Sequence, residues 1–275
     1  MRRTVLPFTW SLLLTDAGTL PSLRDIDAVI VDLDGTMVDT LGDFTVALNL
    51  MLAGLPARDT SQRRVDRSTV ERMVGKGSEH LVRAVLAHVS AGVGSEADDA
   101  GDGMRAAARF DHAFAAYQKH YDAVNGHHAK VYNGVAQGLE NIMRRGLPMA
   151  CLTNKPLAFA RTLLQLKALD GYFRFVFGGD SFDRKKPDPL PLIKTCEALG
   201  TAPSRTLMLG DSSNDAQAAR RAGCPVVLVT YGYNHGEPIR DVDADGFTDS
   251  LADLQWTARQ APPVAILKSC PAGSP

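Results

Sequence analysis

The 275-residue sequence has almost no charge of one sign to spare: 30 Lys and Arg oppose 31 Asp and Glu, a formal net charge of -1. That balance supplies no field to gather nucleic acid or an anionic membrane, so any anion must be held by local groups. Cysteine is scarce too. Cys151, Cys196, Cys224 and Cys270 show no C-x-x-C pair and no metal-ligand spacing, which argues against a disulfide framework and fits a reducing, cytoplasmic setting. Cys151 lies in an apolar run, where a free cysteine is expected to pack. Long hydrophobic runs are missing, so nothing reads as a bilayer span. The apolar stretch 5–14 is interrupted by Pro7, Thr9 and Ser11 and is followed by a poor cleavage site. It reads as a disordered leader covering 1–25 rather than a signal peptide.

What is present is enough apolar residue, 45%, for a large core plus a smaller module. The run Ala28-Val-Ile-Val-Asp-Leu33 is short and β-branched and stops at Asp34-Gly35, as a buried parallel strand feeding a loop would. From 41 to about 121 the apolar spacing turns helical, through Phe44, Leu48, Met51 and Leu52, then Leu81, Val82, Val85 and Leu86, then Phe110, Phe114 and Tyr117. Between two of these helices, 92–103 is rich in Gly, Asp, Ser and Ala and is expected to form a mobile loop. Strand and helix then alternate: helices at 135–145, 157–169, 190–199 and 215–222, and strands at 149–152, 173–177, 206–209 and 226–229. Repeating units of this kind predict an α/β fold, a Rossmann-like doubly wound parallel sheet covered on both faces, with an all-helical insert after the first strand. The expected organisation is a core of 26–39 and 130–261, a helical cap of 40–129, and a disordered tail of 262–275. Ligands of open α/β sheets bind at the carboxyl ends of the strands, where such an insert leaves the core, so the cap is placed to act as a lid.

Chemistry-bearing residues gather at those ends. Asp32 and Asp34 flank the end of the first strand with side chains on one side of the chain, and Gly35 allows a tight exit. Two close carboxylates need compensation, and a hard divalent cation such as Mg²⁺ supplies it. Taken alone, the pair fits an acidic turn capping the next helix equally well. Thr153 and Asn154 close a second strand with uncharged donors for phosphoryl oxygens. Lys186 sets a cation in a loop stiffened by Pro187 and Pro189. Asp211 and Asp215 sit between another strand and a helix N-terminus. A capping role is available for Thr153, Asp211 and Asp215, and a solvated role for Lys186, but convergence of all four clusters at one sheet edge favours chemistry.

These four motifs resemble the haloacid dehalogenase superfamily, in the branch with a helical cap after the first strand, over about 28–256. The resemblance implies Asp32 as nucleophile and Asp34 as general acid and base. It also implies Thr153 as phosphoryl binder, Lys186 as the neutralising cation, and Mg²⁺ held by the Asp32 and Asp211 side chains with the Asp34 carbonyl. Asp215 would support the metal shell or orient Lys186. The K-P-x-P pattern selects Lys186 over Lys185, which is expected to be solvated. A carboxylate at residue 34 separates the chain from the superfamily's dehalogenases and transport ATPases. The net expectation is a Mg²⁺-dependent phosphomonoester hydrolase of a small phosphorylated metabolite, as a monomer or homodimer.

Among capped phosphatases the chain resembles phosphoglycolate phosphatases, through Gly178-Gly-Asp180, Lys186-Pro-Asp-Pro189, Thr230-Tyr-Gly-Tyr-Asn-His-Gly236 and the cap loop Val74-Gly-Lys-Gly-Ser78. That loop nominates Gly75, Lys76 and Gly77, with Asn154, as substrate-binding, and Lys76 as partner of a substrate carboxylate, with Arg72 and His80 behind it. A phosphomutase, pyrophosphatase or sugar phosphatase shares the scaffold, and a non-catalytic phosphate-binding regulator is the remaining rival. Three other motifs fall away. Asp241-Val-Asp-Ala-Asp-Gly246 opens like an EF-hand, but Ala252 stands where the bidentate Glu is needed. Gly75-Lys-Gly-Ser78 lacks the upstream glycine and strand of a P-loop. His127-His128 has no third ligand nearby and is expected to be an exposed hinge.

Overall fold

The computed structural model describes residues 25–56, 64–91 and 102–256. The leader, the tail from 257 and most of the expected loop, 92–101, lie outside the described residues. Residues 102 and 103, expected in that loop, open a helix instead.

Six strands form one parallel sheet: β1 (Ala28–Val31), β4 (Met149–Leu152), β5 (Phe175–Phe177), β6 (Thr206–Gly210), β7 (Val226–Val229) and β8 (Gly246–Thr248), in the spatial order β5-β4-β1-β6-β7-β8. β1 is central, paired with β4 through Val29 and Met149 and with β6 through Ala28 and Thr206. Both faces of β1 are buried, which is why it reads as an unbroken apolar run. Val29 and Val31 face one side, against α5 (Val135–Arg144) and α6 (Leu157–Leu166). Ala28 and Ile30 face the other, against α7 (Leu190–Leu199) and α8 (Ser213–Ala222). The result is a three-layer α/β core. Cys151 is fully buried within it.

Besides β8, two short segments outside the sheet escape the sequence pattern: β2 (Val38–Asp39) and β3 (Lys130–Val131), which pair antiparallel. Between them the chain leaves and re-enters the core through α1 (Leu41–Gly54), α2 (Arg67–Glu71), α3 (Ser78–Ser90) and α4 (Asp102–Val124). These helices bury their own apolar cluster, including Phe44, Leu48, Leu81, Val85, Tyr117 and Tyr121. The buried Asp43 carboxylate accepts the Gly126 and His128 amides, each at 2.7 Å, tying the start of the helical block to its end. His127 and His128 are exposed there. Tyr233, from the loop after β7, packs into the cap cluster, while its hydroxyl accepts the Thr40 amide at 2.7 Å.

Candidate active site

The carboxyl ends of β4, β1 and β6 converge beneath α1, α4 and the 74–78 loop on a cavity lined by Asp32, Asp34, Thr153, Asn154, Lys186, Asp211 and Asp215. The enclosed space is small, about 40 Å³, room for a few waters or one compact ligand.

Asp32 follows β1 directly and its amide bonds the Leu209 carbonyl at 2.9 Å, so sheet pairing fixes it beside β6. Lys186 Nζ lies 2.9 Å from Asp32 Oδ1 and 2.6 Å from Asp215 Oδ1, and donates to the Leu152 carbonyl at 2.9 Å. Burial pulls the Lys186 ammonium towards neutrality, but Asp215 and Asp32 outweigh it and raise its pKa. Asp215 spends its other oxygen on the Ser212 amide and hydroxyl, at 3.2 and 2.8 Å. It is thereby locked at the start of α8 with one oxygen aimed at the lysine.

Asp211 accepts the Tyr233 amide at 2.8 Å and the Thr36 hydroxyl at 3.2 Å. Gly35, at φ +87°, is what lets it sit there: a Cβ on Gly35 would stand 2.2 Å from Asp211 Oδ2. Asp34 accepts Thr40 Oγ1 and Lys155 Nζ, both at 2.7 Å.

Burial pushes Asp32 up to about 7, with Lys186 pulling down and Asp215 and Asp34 adding to the rise. Burial, then Asp215 and Asp32, hold Asp211 well above the ordinary carboxylate range. Four cavity carboxylates face two buried ammonium groups, Lys155 and Lys186, a deficit that one divalent cation matches. Oxygens of Asp32, Asp211 and Asp215 lie within 4.8 Å of one another. Although ion-paired, buried Asp32 Oδ1 has no well-directed hydrogen bond among the described residues. A hard, oxygen-seeking cation fits this donor set.

Other nominated residues sit differently. Asn154 lines the cavity but uses its whole amide elsewhere: Oδ1 accepts the Lys186 amide at 3.0 Å, and Nδ2 donates to the carbonyls of Lys186 at 2.8 Å and Gly75 at 3.0 Å. It fastens the lysine loop and the cap loop to each other. Gly75 and Gly77 line the cavity, whereas Lys76 between them is exposed and does not. Arg72 and His80 are exposed as well, and so is Lys185.

Lys155 is the residue that sequence reasoning passed over. It follows Thr153-Asn154, is buried, and reaches Asp34 beneath the Phe44 and Tyr121 rings of the cap, at 4.6 and 4.9 Å from their centroids. Its one sequence signal was adjacency to a strand-end motif. Asn214 and His235, each inside a motif stretch, were given no role of their own. Asn214 Nδ2 bonds the Gly75 carbonyl at 3.2 Å and contacts His235 Nε2 at 3.2 Å, which adds a second clasp on the cap loop.

Known proteins resemble the chain along most of its length. A phosphoglycolate phosphatase of Thiobacillus denitrificans is 42% identical over 236 residues, 86% of this chain and 97% of that protein. One from Nitrosospira multiformis is 38% identical over 226 residues, covering 82% and 92%. The crystal structure of a predicted phosphoglycolate phosphatase from Haemophilus somnus superposes with a TM-score of 0.74 at 28% identity, covering 84% of this chain and 96% of that one. The family model for haloacid dehalogenase-like hydrolases matches residues 26–223. The chain belongs to the haloacid dehalogenase-like hydrolase family.

Proposed function

We propose that this protein is a Mg²⁺-dependent phosphatase that hydrolyses 2-phosphoglycolate to glycolate and phosphate in the cytoplasm, with residues 40–129 as a cap over the site. The observation that carries the reading is the meeting of Asp32, Asp211 and Lys186 in one buried cavity.

The Asp32 and Asp211 side chains and the Asp34 backbone carbonyl would hold Mg²⁺, which when bound would neutralise phosphoryl charge. A carboxylate and a phosphate dianion repel, so Lys186, already paired with Asp32, also lowers that barrier. Asp32 attacks phosphorus, and the bond from phosphorus to the leaving oxygen breaks. Asp34 gives its proton to the departing alkoxide. In the second half, Asp34 takes a proton from water as that water attacks the aspartyl-phosphate, and phosphate leaves with Asp32 restored. The Thr153 hydroxyl donates to a phosphoryl oxygen. Asp215 keeps Lys186 aimed at the nucleophile, and Asn154 holds the backbone of the lysine loop in place.

The substrate assignment rests on the names of the relatives. Steady-state kinetics on a panel of phosphorylated metabolites with Mg²⁺ test it. The reading expects the highest kcat/KM for 2-phosphoglycolate; a preference for a hexose phosphate or pyrophosphate overturns it.

A further inference from the structure

The four motifs give roles to Asp32, Asp34, Thr153, Lys186 and Asp211 but none to Lys155, which lines the same cavity and whose side chain is 2% exposed. An ammonium group has three N–H donors. Among the described residues one is spent, on Asp34, and the group otherwise faces the rings of Phe44 and Tyr121. Two aromatic faces steady a cation but satisfy no hydrogen bond, so donor capacity remains in the cavity wall. Tyr121 lines the same cavity. It is 1% exposed, and its hydroxyl has no hydrogen-bond partner among the described residues. Burial, then the nearby Asp34, hold that hydroxyl well above its usual pKa, so it keeps its proton and remains a donor. A buried donor without an acceptor is costly, and a cation beside it names the sign of the missing partner.

We propose that Lys155 and Tyr121 form the subsite for the carboxylate of the substrate, Lys155 giving the ion pair and the Tyr121 hydroxyl a hydrogen bond. The assignment rests on the phosphoglycolate reading and deepens it. It makes specificity a joint property of core and cap: Lys155 comes from the loop after β4, Tyr121 from α4, and Phe44 from α1, stacked on Tyr121 at 5.3 Å. The carboxylate is therefore fully held only when the cap sits on the core. It also explains how the site selects a small anion without Lys76, which is exposed outside the cavity.

The test is the ratio of kcat/KM for 2-phosphoglycolate to that for ethyl phosphate, an ester of similar size without the carboxylate, measured on the full chain with Mg²⁺. Lys155→Met lowers this ratio about tenfold or more, the scale of a lost charged hydrogen bond, and Tyr121→Phe lowers it about fivefold. Tyr121→Phe keeps the ring and the packing, so it reads the subsite even if Lys155→Met folds poorly. Equal losses on both esters overturn the subsite and leave Lys155 a positioning residue for Asp34. A ratio that falls in Lys76→Ala but in neither of the other variants moves the carboxylate to the cap loop. A wild-type enzyme with no preference for 2-phosphoglycolate over ethyl phosphate overturns the substrate reading itself, and this is read before any variant is made.

Discussion

Lys186 Nζ stands between two carboxylates, 2.6 Å from Asp215 Oδ1 and 2.9 Å from Asp32 Oδ1, with all three side chains buried. One ammonium thus serves as counter-ion to Asp32 and is itself aimed by a carboxylate locked at a helix start. Removing it strands buried charge. Lys186→Met is expected to lose about a thousandfold in kcat and about 3–5 kcal/mol of stability, read by phosphate release and urea unfolding. Asp215→Asn is expected to be milder, because Lys186 keeps Asp32.

The raised carboxylates give the metal-free protein a defined pH response. A carboxyl with a higher pKa folded than unfolded binds its proton more tightly in the native state, so its stabilising contribution is present at low pH and lost as pH rises. Asp32, moved from 3.8 to about 7, sets the window between those values, and Asp211 acts in the same direction. In EDTA, the Tm is expected to fall from pH 5 to pH 7.5 more than it does in an Asp32→Asn variant. Added Mg²⁺ should raise Tm more at pH 7.5 than at pH 5, because the ion competes with protons for the same oxygens.

Gly35→Ala tests the proposed metal pocket from the backbone side. The new Cβ meets Asp211 Oδ2 at 2.2 Å, on a backbone at φ +87°. Asp211 has to move, and Mg²⁺ affinity is expected to drop tenfold or more, read as the Mg²⁺ concentration needed for half-maximal rate.

Asn154 has no free amide atom for substrate. Asn154→Ala is therefore expected to lower kcat by about tenfold to a hundredfold on 2-phosphoglycolate and ethyl phosphate alike, through a loosened Lys186 loop. A substrate-binding Asn154 would instead raise KM for one ester more than for the other.

The parts of the fold legible in sequence were those with a long or uniform pattern. Strands β1, β4 and β7 and helix α7 announced themselves as buried apolar runs and periodic segments bounded by Gly, Pro and Asp. The two-residue strands β2 and β3 are too short to carry any period, and β8, three residues long at the sheet edge, was hidden behind the acidic stretch before it. The expected strand at 173–177 starts two residues later because 170–172 form a 3₁₀ turn. Within the site, Asp32, Asp34 and Asp211 could be placed because strand ends fix direction, Asp215 because it opens the helix that follows, and Lys186 because of its K-P-x-P pattern. Lys76 and Lys155 could not be told apart that way. Both are loop lysines, and only the tertiary path turns one out to solvent and the other under two aromatic rings.

The central claim is that Asp32 attacks phosphorus in a metal-dependent reaction. Its most direct measurement is phosphate release from 2-phosphoglycolate by the wild-type protein and by Asp32→Asn, with Mg²⁺ and with EDTA, at matched Tm. The account predicts turnover only for the wild type with Mg²⁺, and a loss of about a thousandfold or more in Asp32→Asn. Hydrolysis by Asp32→Asn at the wild-type rate contradicts it.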